Sequence, residues 1–365
     1  VGMTYLNLKD PRTIKVMHQL MINIGYRVQT SIHKIAKKLA LGGRMFTKNP
    51  PSTVGKSNMV SQVIHFINRP MPKNVPTKTS RAMLGIEDDK IVPIIRNHNK
   101  ITDESDAVFY FPGCGSERLF SQVGLATQAM LYEVGAITVL PPGYLCCGYP
   151  QTSSGDIDKG HEISSDNRVQ FHRIANTLNY LDIKTVIVSC GTCMDQLSKY
   201  QFESIFPGCR LLDIHEYLME KEIKMNDVSG VQYMYHEPCH NPMKTYTSAN
   251  VTKALLNQDV KKNDRCCGES GTFAVTRPDI ATQVKMRKSE EITKDKNILI
   301  KDNKDDVKIL TSCPSCLQGL SRYGDETGTD ADYIVVEIAK NNLGANWLKD
   351  YVTKANNGGI EKVLL

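Results

Sequence analysis

The feature that most constrains the fold of this chain is a five-cysteine pattern that occurs twice. Cys114 is followed by the pair Cys146-Cys147, closed by Gly148, and then by Cys190-Gly-Thr-Cys193; Cys239 is followed by Cys266-Cys267-Gly268 and then by Cys313-Pro-Ser-Cys316. Ten of the eleven cysteines fall into these two sets, with equivalent positions 125, 120 and 123 residues apart. The flanks repeat as well: Val188-Ser189-Cys190 answers Thr311-Ser312-Cys313, and Ile214-His215-Glu216 answers Val335-Val336-Glu337. Self-similarity at a fixed offset predicts an internal duplication, two lobes of one architecture related by approximate twofold symmetry.

The hydropathy pattern gives the lobes a class. Ala107 to Phe111 is a continuous apolar run, as in a strand buried on both faces. A helix is predicted from Glu117 to Glu133, a strand over Ile137 to Leu140, a helix over Asp158 to Leu178, strands at Thr185 to Val188 and Leu211 to Ile214, and a helix from Glu216 to Lys221. Val231 to Tyr235 and Val307 to Leu310 repeat the strands that precede the first cysteine and the C-x-x-C. Strands separated by helices of this length predict parallel βαβ units. Three of the five cysteines in each set then follow a strand directly, at the edge where open parallel sheets bind ligands. Gly148 and Gly268 permit a positive φ after each cysteine pair.

The thiols themselves admit several chemistries. A disulfide framework belongs to short secreted chains, whereas 365 residues can bury a sizeable core and Val1-Gly2-Met3-Thr4 has none of the marks of a secretory signal. Zinc takes four ligands, and adjacent cysteines suit a tetrahedral mononuclear site poorly. Iron–sulfur clusters spread thiolate ligation over several irons, so neighbouring cysteines can serve different metals. A metal-free thiol–disulfide protein using Cys190-Cys193 or Cys313-Cys316 is a further reading.

Composition is that of a globular protein, with 41% hydrophobic and 23% charged residues. Charge is unevenly placed. Residues 1–100 hold 17 Lys or Arg against 4 Asp or Glu, so more than the whole net charge of +6 lies there. Ile14, Met17, Met21, Ile24 and Val28 recur at helical spacing among Lys15, Arg27, Lys34, Lys37 and Lys38, which predicts one or two basic amphipathic helices stopped at Gly42-Gly43. Pro50-Pro51, Pro70, Pro72 and Pro76 predict extended chain beyond. No nucleic-acid motif accompanies the charge. Docking of the basic helix on protein is expected, with an anionic membrane surface as the alternative. The resulting division is 1–104, a basic helical and Pro-rich segment; 105–228, the first lobe; and 229–365, the second.

In this pattern the chain resembles the CCG or cysteine-rich domain family, which includes the heterodisulfide reductase B subunit, the iron–sulfur subunit of glycolate oxidase, the anaerobic glycerol-3-phosphate dehydrogenase C subunit and lactate-utilisation proteins. The resemblance covers about residues 105 to 340. It implies a Rossmann-like lobe per repeat and up to two [4Fe-4S] clusters, noncubane in the best understood relatives, held by Cys114, Cys146, Cys147, Cys190 and Cys193 and by Cys239, Cys266, Cys267, Cys313 and Cys316. The segments Phe111-Pro112-Gly113-Cys114-Gly115-Ser116-Glu117-Arg118 and Gly143 to Pro150 resemble the C-terminal part of large FAD-linked D-lactate and glycolate dehydrogenases. The chain has no FAD-binding segment and no C-x-x-C-x-x-C-x-x-x-C-P run. FAD and ferredoxin-like domains are therefore expected upstream or in a partner.

These observations lead to an oxidoreductase module that passes electrons from a flavin, where a 2-hydroxy acid is oxidised, to a quinone or other acceptor, in the cytoplasm or at the inner membrane face. Catalysis on a disulfide, as in heterodisulfide reductase, and the metal-free thiol protein are the alternatives, with zinc in one lobe a variant. Around the cysteines, Arg118 and Arg265 are read as surface residues that could compensate cluster charge. His236 and His240 are read as hydrogen-bonded scaffold or a ligand in a zinc-type variant. Glu269 is read as a proton gate, or else as a residue that caps the following segment or faces water. Cys209 is read as a buried small hydrophobe, and His215 carries no signal.

Overall fold

Ten strands form two sheets in this computed structural model, which describes residues 8–38, 69–72, 75–269, 273–300 and 306–365. The strands are β1 (Ile91–Ile95), β2 (Ala107–Phe111), β3 (Ile137–Val139), β4 (Ile183–Val188), β5 (Arg210–Asp213), β6 (Val231–His236), β7 (Lys261–Asn263), β8 (Asp306–Thr311), β9 (Asp330–Tyr333) and β10 (Ile360–Leu364). The first sheet has the order β10-β1-β3-β2-β4-β5 and the second β7-β6-β8-β9. Within them β3-β2-β4-β5 and β7-β6-β8-β9 are parallel throughout and match position by position. The duplicated α/β plan predicted from the cysteine spacing is present.

Alternation along the central strands sorts the cores. In β2, Val108 and Tyr110 face inward with Tyr235, Leu310, Leu255 and Ile338 of the second half, so one continuous apolar core joins the two sheets. Phe109 and Phe111 face the other way and pack with Phe171, Phe202 and Phe206. The outer face of the second sheet holds Met234, Ile309, Ile292 and Leu320. Helices cover these faces, among them Ser121–Glu133, Ile157–Thr177, Pro278–Leu299 and Ile334–Leu343. Local chemistry fixes their starts: the Asp156 carboxylate accepts from Lys159 N–H, and Asp213 with Glu216 makes a reciprocal cap on Ile214–Glu220.

Four strands differ from expectation. β7 and β9 are short and polar, Lys-Lys-Asn and Asp-Ala-Asp-Tyr, so hydropathy did not reveal them. β1 lies inside the segment read as basic and extended, where Pro93 argues against a central strand. It is tolerated because Pro93 still offers its carbonyl, which accepts from Leu140 N–H at 2.9 Å. β10 comes from the chain's last residues yet pairs antiparallel with β1, so the first sheet is completed by the C-terminus.

The basic helix is continuous over Pro11–Leu20, a π-helical stretch Met21–Val28 and Gln29–Lys38. It docks on protein. Its His18 Nε2 meets the Pro76 carbonyl, Tyr26 donates to Gln318 at 3.0 Å, Gln29 donates to the Arg69 carbonyl and His33 faces Asp325. The predicted stop at Gly42-Gly43 and the Pro50-Pro51 stretch lie outside the described residues. Among the described residues, no helix is long and apolar enough to cross a membrane.

Candidate metal centre

All ten cysteines of the two sets lie beyond the carboxyl ends of parallel strands. Cys114 and Cys239 follow β2 and β6, the pairs follow β3 and β7, and Cys190 and Cys313 follow β4 and β8 as the N-caps of Gly191–Leu197 and Pro314–Ser321. Gly148 and Gly268 turn the chain after each pair with φ of 88° and 70°; a side chain there would strike the Gly160 carbonyl and Lys285. The positive φ expected at both glycines is present.

The sulfurs form one array. Cys114 contacts Cys146, which contacts Cys147; Cys147 lies 3.6 Å from Cys193, and Cys193 contacts Cys190. In the second lobe Cys266 contacts Cys267, which lies 3.5 Å from Cys316, and Cys316 contacts Cys313. Cys190 and Cys313, equivalent residues of the two repeats, contact each other. Nine of the ten sulfurs are thus linked across the lobes. Cys239 is exposed and stands apart from this chain of contacts.

The lobes meet by a reciprocal rule that defines the pseudo-twofold. Gly191, inside the first C-x-x-C, packs so tightly on the residue after Cys239 that an added Cβ would fall 1.6 Å from the His240 carbonyl oxygen. Its counterpart Pro314 packs on Gly115, the residue after Cys114. The hydrogen bonds around the cysteines repeat too. Tyr200 donates to the Cys147 carbonyl and Tyr323 to that of Cys267, both at 2.9 Å; Tyr110 pairs with Ser189 at 2.8 Å and Tyr235 with Ser312 at 2.9 Å. Sequence reasoning passed over these tyrosines, although they recur at the cysteine offsets.

Electrostatics decides what such an array can hold. Contact with Cys146 and then Cys193 brings the Cys147 thiol down to about 6, whereas Cys146, drawn down by Cys114, is held up at about 12 by Cys147 and by burial. Cys190 is lowered by Cys193 and Cys313, and Cys267 by Cys266 and Cys316. Their neighbours Cys193, Cys313 and Cys316 are raised in turn. Thiolate character is therefore confined to a few sulfurs, because adjacent buried anions repel and share protons. Bringing all of them to thiolate requires a cation among them, so the donor set fits a multinuclear thiolate-bound metal group.

Buried cations already lie near each set. Arg118 was expected at the surface, but it is 1% exposed, stands over the Tyr144 ring at 5.3 Å and only partly offsets Cys146 and burial, which hold the Cys114 thiol well above its ordinary value. The fold brings Tyr144 to Arg118, and Arg81, which pairs with Glu117, stands over the same ring at 5.8 Å. Lys288 is fully buried, pairs with Glu291 at 2.9 Å and faces Cys267 and Cys316. Glu269 does not face water: it is buried between Lys285 and Arg322. Arg265 is exposed, as expected. Cys209 is half-buried against the first-lobe core. His240 is scaffold, its ring held by Asp195 on one nitrogen and by the Tyr149 hydroxyl at 2.9 Å on the other. His215 is fully buried and bonds Asp213 at 2.6 Å, an interior role its sequence context gave no sign of.

A cysteine-rich domain model matches residues 108–198 and 233–321, one copy on each lobe and its cysteines. The chain carries two CCG domains. A domain of unknown function (DUF3400) matches residues 321–365, the segment that runs from the second CCG domain to β10. The chain is 30% identical over 219 residues to the B subunit of the CoM/CoB fumarate reductase of Methanothermobacter marburgensis, covering 57% of this chain and 40% of that one. It is 24% identical to the probable glycolate oxidase iron–sulfur subunit of Bacillus subtilis, over 64% and 53% of the two chains. It is also 24% identical to the D subunit of the dihydromethanophenazine:CoB–CoM heterodisulfide reductase of Methanosarcina acetivorans, over 66% and 60%. The chain spans about half the length of the curated relatives it matches. All three relatives are oxidoreductase subunits, the one from Bacillus subtilis an iron–sulfur subunit.

Proposed function

We propose that this chain is the iron–sulfur electron-transfer part of a flavin-linked 2-hydroxyacid dehydrogenase, with electrons entering from a flavin domain or subunit and leaving to a quinone or other acceptor. The observation that carries this reading is the linked sulfur array: nine of the ten cysteines of the two sets, on matched lobes, joined at Cys190 and Cys313. Iron–sulfur clusters, when bound, supply one-electron transfer. Cys114, Cys146, Cys147, Cys190 and Cys193 would hold one, and Cys239, Cys266, Cys267, Cys313 and Cys316 the other. The residues around them contribute burial, which excludes water. Arg118 and Lys288 compensate negative charge, and the Tyr200 and Tyr323 hydrogen bonds fix the two Cys-Cys-Gly turns.

The C-x-x-C sulfurs belong to residues 3% to 8% exposed, which disfavours a metal-free thiol–disulfide protein, since exchange needs an accessible attacking sulfur. Catalysis on a disulfide has one feature in its favour, the exposed Cys239 beside an otherwise largely buried set. Iron, zinc and acid-labile sulfide per chain, with EPR, on protein purified without oxygen test the reading. Two iron–sulfur centres that a flavoprotein reduces and a quinone analogue reoxidises are expected. Absence of iron and sulfide would sink it, and turnover of a heterodisulfide that is lost in Cys239→Ser would replace it with the catalytic alternative.

A further inference from the structure

The two lobes repeat the tyrosine hydrogen bonds around the cysteines, and one of the places where they differ is the end of β2 and β6. Phe111, the last residue of β2, corresponds to His236, the last residue of β6; each stands three residues before its lead cysteine. Across the ladder Phe111 pairs with Val188, and His236 with Thr311. An apolar pair in the first lobe is thus a polar pair in the second.

The second pair is not used to make structure. His236 and Thr311 are both 0% exposed, and among the described residues neither the His236 ring nitrogens nor the Thr311 hydroxyl has an oxygen or nitrogen partner. A buried polar group left without such a partner is costly, so an imidazole in this position calls for a ligand. The groups facing it are sulfurs. The imidazole lies against the Cys267 sulfur and helps Cys266 and Cys316 to lower that thiol. His236, Cys267 and Cys316 place their ligand atoms within 4.8 Å of one another, and among the described residues this is the one such His, Cys, Asp or Glu group. The lead cysteine of this lobe, Cys239, is the exposed one, whereas its counterpart Cys114 contacts Cys146.

We infer that His236 is a protein ligand of the metal centre in the second lobe, so that the chain holds two unlike centres, one bound by thiolate alone and one by thiolate and imidazole. The inference rests on the metal-binding reading above and goes beyond the five-cysteine sets. A neutral imidazole in place of a thiolate leaves a centre less negative and raises its reduction potential, as His ligation does in other iron–sulfur centres. The second centre is then the higher of the two in potential, and it would draw electrons across the Cys190–Cys313 contact from the first lobe.

The test uses the full chain, purified without oxygen and labelled with 15N-histidine, with iron and sulfide measured on every sample. Pulsed EPR of the reduced protein is expected to show strong nitrogen coupling at one of two centres. That coupling disappears in both His236→Cys and His236→Phe. His236→Cys, which restores a thiolate, keeps the iron content and lowers the midpoint potential of the second centre while leaving the first unmoved. His240→Gln leaves the coupling in place. Iron-loaded wild-type protein with no nitrogen coupling, or a second-centre potential unchanged in His236→Cys, overturns the histidine ligand alone. Wild-type protein without iron or any other bound metal overturns the metal-binding reading beneath it.

Discussion

The second lobe buries Glu269, Lys285, Lys288 and Arg322. The ten cysteines were legible because few chemistries use that residue in that spacing. The burial of Arg118, Glu269 and Lys288 was not, because it depends on cover that only the folded chain assembles, Arg322 reaching Glu269 across 53 residues. Lys285 belongs with them. Burial lowers its ammonium to about 8, against the pull of Glu269. The folded value lies below the unfolded one, near 10.4, so this group's contribution to stability is absent below about pH 8 and grows as pH rises toward 10.4. The expected size is on the order of 3 kcal/mol. Denaturant titrations at pH 8 and pH 10 should show the wild type gaining on Lys285→Met over that interval; parallel curves would show that Lys285 is not desolvated.

Among the elements, the four central strands were legible for a physical reason. β2, β4, β6 and β8 are covered on both faces, and largely apolar runs satisfy that. β7 and β9 escape notice because short edge strands need little apolar sequence, and β1 because its proline is the wrong signal locally and acceptable only once the neighbours are known. β10 could not be assigned from local pattern, since its partner lies about 270 residues earlier. It covers all five residues of β1, and without it that strand becomes an open edge available for pairing with other molecules. Removal of residues 360–365 should raise amide exchange in Ile91–Ile95 and promote aggregation, with exchange in β6 and β8 unchanged. Protection of β1 in the truncated protein would mean that β3 alone holds it.

Across the whole molecule, the lobes are held by a shared apolar core and by the tight fit of each C-x-x-C loop on the opposite lobe. Gly191 is the closest point of that fit, and the atom it faces is a backbone carbonyl that cannot swing aside. Gly191→Val should cost several kcal/mol, as overpacking at a rigid contact does, and should separate the two centres. A lowered thermal midpoint and weaker magnetic coupling between centres are the expected readouts. Gly25→Ala is the control: it sits on the N-terminal helix with its nearest neighbour at 3.9 Å, and should be neutral or gain about 0.5–1 kcal/mol. An unchanged midpoint in Gly191→Val would show that the lobes stand farther apart than the structure places them.

The meeting of Cys190 with Cys313 bears on how such a chain could arise. In a twofold homodimer a residue on the axis touches its own copy, so every substitution there is made twice and must be compatible with itself. Two halves joined in one polypeptide escape that constraint, because each side can change alone. Gly191 opposite Pro314 and Phe111 opposite His236 are places where the halves have departed from one another. Held in one chain, a joint between like halves can have a direction.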